Sequence, residues 1–218
     1  MQKVNIMIGR FQPFTAGHYK CVEAAKNKKN LKTVICMINV AEDKVGKKHP
    51  FPSDMLIKSY SKFFNSDANI ADVVLVKSAD IVSIGKLLNS LGYQPASWTC
   101  GTDRYADYSK MTERYHDQAM LSDDFEVIEI ARSDEDISAT KARNCLLDND
   151  FDGFKALMPS GVADLDQLFS TLKDQIEKVN NMPEVTKKRS KKKLSERLDI
   201  LDSHVKRLEM LIRKSSQI

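Results

Sequence analysis

The chain has 218 residues, 42% of them hydrophobic, enough for one full α/β core with an appendage. No apolar run reaches the roughly 20 residues of a membrane span, and the N-terminus lacks a signal-peptide layout, so a soluble, cytoplasmic protein with no membrane partner is expected. The net charge of +4 is uneven: residues 1–180 carry 23 Lys+Arg against 25 Asp+Glu, whereas residues 181–218 carry 11 against 5.

Strand-like runs occur at "VNIMI" (4–8), "TVICMINV" (33–40), "ADVVLV" (71–76), "ASWTC" (96–100) and "FEVIEI" (125–130). They are rich in β-branched residues and apolar on both faces, as strands of a covered parallel sheet must be. Helical stretches alternate with them at 17–28, at 53–65 with Ser53 as cap and Asp54 in the first turn, and at 81–91. The alternation predicts a Rossmann-like α/β fold, a doubly wound parallel sheet with ligands beyond the carboxyl ends of its strands. Cys21, Cys36, Cys100 and Cys145 are scattered, with no CxxC pair and no histidine at metal-ligand spacing, so reduced thiols and no protein-held metal are expected.

After residue 160 the pattern changes. Leu165, Leu168, Phe169, Leu172, Ile176 and Val179 form one apolar helical face. Then comes "KKRSKKK" at 187–193, followed by Leu194, Leu198, Leu201, Val205, Leu208 and Ile212 at alternating spacings of four and three, a heptad seam. The expected division is a main domain over 1–162 and a helical hairpin or coiled-coil extension over 163–218, with the basic run as connector. The seam predicts a homo-oligomer or a larger assembly. The basic run is read first as a solvated connector and only second as a contact for nucleic acid, since no aromatic residue is interleaved with it.

Two stretches carry chemistry. "GRFQPFTAGH" (9–18) leaves the carboxyl end of the first strand and opens the first helix. Gly9 allows a ligand close to the backbone, Pro13 stiffens the turn, and Gly17 and His18 stand where unsatisfied N–H groups and the helix dipole attract phosphate. The plainer reading makes Phe11 and Phe14 core residues and His18 an interior hydrogen-bonder. "ISATKAR" (137–143) opens another helix after the fifth strand, with Ser138 and Thr140 near its start and Arg143 on its first turns. Hydroxyls, amides and a guanidinium so placed bind phosphate oxygens; a capped helix with a surface arginine is the alternative.

The pair Thr15-Ala16-Gly17-His18 and Ile137-Ser138-Ala139-Thr140-Lys141-Ala142-Arg143 resembles the (H/T)xGH and ISxTxxR signatures of the nucleotidylyltransferase superfamily. "GRFQPF", "KHPF" (48–51) and "LLDNDFDGFKALMPSGV" (146–162) are most similar to archaeal-type nicotinamide-mononucleotide adenylyltransferases. That resemblance implies transfer of AMP from ATP to nicotinamide mononucleotide, giving NAD and pyrophosphate, with Mg²⁺ accompanying the triphosphate. It implies that Gly9, Arg10 and Phe11 line the nucleotide cleft and that Thr15 and His18 hold the triphosphate. Lys48 neutralises phosphate where the family commonly has arginine, Ser138, Thr140 and Arg143 grip the β- and γ-phosphates, and Gly101 and Asp103 of "GTDR" touch base or ribose. His18, Lys48 and Arg143 are the catalytic donors in that reading. The family's nicotinamide-stacking tryptophan has no counterpart in "SADIVSIGKLLNSLG", so either another ring such as Tyr93 replaces it or the acceptor differs: phosphopantetheine, flavin mononucleotide, or a phosphorylated alcohol receiving a cytidylyl group. A scaffold with a nucleotidylyltransferase-like domain, assembled through its tail, is the non-enzymatic alternative.

Overall fold

A computed structural model describes residues 1–131 and 138–182. Ile137, the 187–193 connector and the heptad seam lie outside the described residues. Residues Met1–Asn180 form one compact unit.

Five parallel strands, β1 (Gln2–Gly9), β2 (Thr33–Ile38), β3 (Ile70–Val76), β4 (Tyr93–Gly101) and β5 (Glu126–Ile130), lie in the order β3-β2-β1-β4-β5. The chain winds outward from β1 through β2 to β3, then crosses back to β4 on the other side of β1. The topological switch point is therefore between β1 and β4, where open α/β sheets leave a crevice at the strands' carboxyl ends. Alternate side chains feed two cores. Met7, Ile35 and Met37 pack under α1 (Ala16–Lys29), α2 (Ser53–Ser59), α3 (Ser61–Ser66), α6 (Ala139–Leu147), α7 (Phe151–Ala156) and α8 (Leu165–Asn180). Val4, Ile6, Val34 and Cys36 pack under α4 (Ile81–Ser90) and α5 (Thr102–Tyr115). The fold class expected from strand–helix alternation is thus observed.

Inside the sheet, buried Asn5 donates to Thr33 Oγ1 (3.1 Å) and Thr99 Oγ1 (3.0 Å), and its Oδ1 accepts from Ser97 Oγ (2.9 Å). A polar group buried there is tolerated because it is satisfied, and the bonds tie β1 to both neighbours. On the other face, α4 lies so close to the segment after α5 that a Cβ at Gly85 would stand 1.8 Å from the Ala119 carbonyl oxygen. Only glycine fits there.

Four details differ from the sequence expectation. The helix expected over 53–65 is two helices, divided at Tyr60, which is fully buried and donates its hydroxyl to the Phe14 carbonyl (2.9 Å). Ser53 is not the cap: Pro52 holds that position, and Ser53 Oγ accepts from Val40 N–H (2.7 Å) and donates to the Ile38 carbonyl (3.3 Å), fastening α2 to the end of β2. β4 starts three residues earlier than "ASWTC", because Pro95 is accommodated beside a register shift in its pairing with β1. Finally, α8 buries Leu168, Phe169, Leu172, Ile176 and Val179 in the same unit as the sheet, so the compact unit runs to Asn180 and not to 162.

Candidate active site at the carboxyl edge of the sheet

β1 ends at Gly9, and the turn to α1 carries the residues singled out in the sequence. Phe11 takes the left-handed backbone conformation (φ 48) and Gln12–Pro13 is cis. A Cβ on Gly9 would come within 2.9 Å of the Phe11 ring. The Phe11 ring thus fills the side of this glycine where a Cβ would point. Phe11 and Phe14 are buried, as the plainer reading held, and they also hold His18: the Phe11 ring meets the imidazole edge-on at 5.1 Å, and Phe14 stacks on it at 5.6 Å. Thr15 N–H donates to His18 Nδ1 (3.0 Å). A nitrogen that accepts a backbone N–H carries no proton, so the neutral imidazole is protonated at Nε2 and is a donor there.

His18 and Arg143 line the same cleft, of about 610 Å³, at the β1/β4 switch point. Arg143, half-buried on α6, donates through Nη1 to the Gln12 carbonyl (2.7 Å) and through Nη2 to Thr140 Oγ1 (3.0 Å). Both acceptors are neutral, so these bonds orient the guanidinium without cancelling its charge. Burial lowers its pKa, yet an arginine stays charged at any working pH. Gly9, Arg10, Phe11, Lys48, Gly101 and Asp103 also line the cleft. Gly101 is at once the N-cap of α5, the ordinary role that a Gly-Thr-Asp turn suggests.

The remaining expected residues are not among those that line the cleft. Thr15 is completely buried and pairs with His18; Gly17 lies in the first turn of α1 but not against the cleft. Ser138 caps α6 by accepting from Lys141 N–H (3.1 Å), while exposed Thr140 supports Arg143; Ala139 is the residue of that segment that reaches the cleft. Tyr93 begins β4, at the amino end of the sheet and opposite the cleft, so it cannot replace the stacking ring.

Several residues were missed. Gln12 is 4% exposed, and its carboxamide clamps the Phe51 peptide, accepting from its N–H (2.9 Å) and donating to its carbonyl (2.7 Å). Through these bonds and its own carbonyl, Gln12 joins the first turn, the "KHPF" loop and Arg143. His49 lines the cleft beside Lys48. Lys77, just past β3, and Arg104, whose Nε lies 3.4 Å from Asp103, add cations; among the described lining residues five Lys/Arg face one carboxylate. Burial and then the charges of Arg10, Lys48 and Arg143 push the His49 imidazole below its usual range. Tyr108 of α5 lines the cleft and stacks at 3.8 Å on the buried Trp98. The sheet edge was the available signal for Lys77 and Arg104: both follow a strand's carboxyl end.

This arrangement, a cationic crevice with an imidazole donor, suits a polyphosphate. The sequence profile described as cytidylyltransferase-like matches residues 6–145. The chain belongs to the cytidylyltransferase-like family. Curated proteins provide no sequence match to it. Among solved structures, Plasmodium falciparum nicotinic acid mononucleotide adenylyltransferase complexed with NaAD is similar with a TM-score of 0.52 at 15% identity, covering 80% of this chain and 98% of that one. A bifunctional NMN adenylyltransferase/ADP ribose pyrophosphatase from Francisella tularensis is similar with a TM-score of 0.51 at 17% identity, over 83% of this chain and 54% of that one. At these identities the likeness is one of fold. For this family member, a second cavity of about 660 Å³ between α2, α3 and α8 is larger but has no comparable convergence of cations, and its Lys62 is paired with Asp164. Among the described residues no cluster of His, Cys, Asp or Glu suits a metal ion, and no helix is long and apolar enough to cross a membrane.

Proposed function

We propose that this cytidylyltransferase-like protein transfers AMP from ATP to a nicotinamide-type mononucleotide, releasing pyrophosphate and forming the dinucleotide. The observation that carries the reading is the convergence of His18 and Arg143, 125 positions apart in sequence, on one cleft at the switch point. A phosphate oxygen of the acceptor attacks the α-phosphorus in line, the P–O bond to the β-phosphate breaks, and pyrophosphate leaves with that electron pair. No protein nucleophile is needed. His18 Nε2–H donates to an oxygen on the pentacoordinate phosphorus, while Lys48 and Arg143 neutralise the leaving group. Mg²⁺ arrives as part of the triphosphate complex. Arg10 also lines the cleft, and Tyr108, stacked on Trp98, is the aromatic ring there against which a base or pyridine ring would pack.

The "GRFQPF" resemblance and the substrates named for the two structural relatives favour the nicotinamide acceptor. The family description supports a second reading, cytidylyl transfer to a phosphorylated alcohol. Pyrophosphate release across ATP and CTP, crossed with nicotinamide and nicotinic acid mononucleotides, phosphopantetheine, flavin mononucleotide and phosphocholine, separates them. Turnover with ATP and a pyridine mononucleotide is expected. Turnover with CTP alone transfers the case to the second reading, and silence across the panel overturns both, leaving the scaffold alternative.

A further inference from the structure

We propose that His49 is a second imidazole of the polyphosphate site, which contacts the bound anion and takes up a proton from solvent as the anion binds. The inference rests on the proposed triphosphate cleft but not on the acceptor or on turnover. His49 lines the cleft, and its Nδ1 is buried with no hydrogen-bond partner among the described residues. A buried ring nitrogen left unpaired costs free energy unless something else reaches it, and the cleft that this residue lines is where a ligand would come from. The backbone holds the ring there: His49 N–H donates to the Gly46 carbonyl (2.8 Å), Gly46 N–H donates to the His49 carbonyl (3.1 Å), and two residues on, Gln12 clamps Phe51. The main chain at His49 is therefore held in place beside the cleft, and the ring turns about its own side-chain bonds to bring Nδ1 to the anion.

Among the described residues the charged groups acting on it come from three segments and are cations: Arg10 from the turn after β1, Lys48 from its own loop, and Arg143 from α6. Burial and then these cations hold the imidazole's pKa below its usual range and so disfavour its protonation. A polyphosphate reverses the field. Its negative charge offsets the three cations and rewards protonation, after which Nδ1 becomes a charge-assisted donor to a phosphate oxygen. The sign follows from linkage: a group that binds a proton more tightly in the complex makes the complex tighter as pH falls. Each pKa unit gained on binding is worth about tenfold in affinity below both pKa values.

The test is calorimetry of the full chain with inorganic tripolyphosphate, a base-free probe, at pH 6–8 in buffers of differing ionisation enthalpy. Wild type is compared with His49→Gln and His49→Asn, and thermal melts establish that each variant is folded. The ligand's own titration is common to all three proteins and cancels in the difference. Wild type is expected to take up more protons than either variant, by up to about one per site, and to gain affinity toward pH 6 more steeply than they do. Imidazole resonances of wild type, with His49 assigned from the variants, should show its pKa rising on addition of tripolyphosphate. Equal proton uptake in wild type and variants, an unmoved His49 resonance, or no binding by wild type overturns the proposal. Binding with His49-dependent uptake but no pyrophosphate release from any substrate pair preserves it while removing the proposed transferase activity.

Discussion

Gln12→Ala is the most informative single change, because Gln12 touches three parts of the cleft at once. The substitution deletes both bonds to the Phe51 peptide and leaves a buried N–H and C=O without partners. Each such group costs about 1–3 kcal/mol. Water entering from the adjacent cleft repairs part of the loss, so about 2–3 kcal/mol is expected, or a fall in Tm of roughly 4–12 °C for a unit of this size. The larger effect is positional. Without the clamp, Lys48 and His49 are no longer tied to the segment that accepts from Arg143, and a displacement of about 1 Å costs roughly 10²-fold in turnover. Thermal denaturation and pyrophosphate release measure the two effects separately. Gln12→Glu sharpens the test: the carboxylate keeps an acceptor for Phe51 N–H but opposes the Phe51 carbonyl with a second lone pair. If Gln12→Ala melts within about 1 °C of wild type and turns over within about twofold, the three segments are held by something other than this side chain and the reasoning fails.

Other outcomes follow from the same geometry. His18→Ala should lose about 10²–10³-fold in kcat while the fold persists, as checked by circular dichroism; near-normal pyrophosphate release would remove His18 from the transfer step. Arg143→Lys keeps the charge but gives up the fork that reaches both the Gln12 carbonyl and Thr140, so kcat/KM for the triphosphate should fall about 10–100-fold. In Gly9→Ala the new Cβ meets the Phe11 ring, which itself packs on His18; about 1–3 kcal/mol of stability in urea titrations should be lost together with triphosphate affinity. A chain ending at Asn180 should unfold in one cooperative transition, and sedimentation should show a smaller assembly than the 218-residue chain forms. An unchanged oligomeric state would sink the reading of the 194–212 seam as an association surface.

The order of strands and helices was readable because it depends on periodicity within a dozen residues: "TVICMINV" is apolar on both faces wherever it folds, and the 165–180 stripe fits only a buried helix. The two helix starts were readable for the same reason, as local patterns of small, hydroxyl and basic residues. What depended on tertiary structure was which of those residues face the ligand. Ser138 and Thr140 look like phosphate ligands in sequence, and tertiary structure adds a second task to each hydroxyl, which accepts from Lys141 N–H at the α6 cap or from Arg143 while its own O–H remains a donor. Gly9 lines the cleft, but only the left-handed turn at Phe11 shows that a ring packs where its Cβ would be.

Direction and distance supply the physical reason. The parallel sheet sends Tyr93 to its amino end and Tyr108 to the cleft, a choice made by strand orientation and invisible in either residue's neighbours. Gln12 reaches Phe51 across 39 positions and Arg143 across 131, bonds that exist only once β1 lies at the centre of the strand order. Periodicity along the chain therefore determined the elements and the edge at which a polyphosphate would sit. The long-range pairing of those elements decided which side chains meet it there.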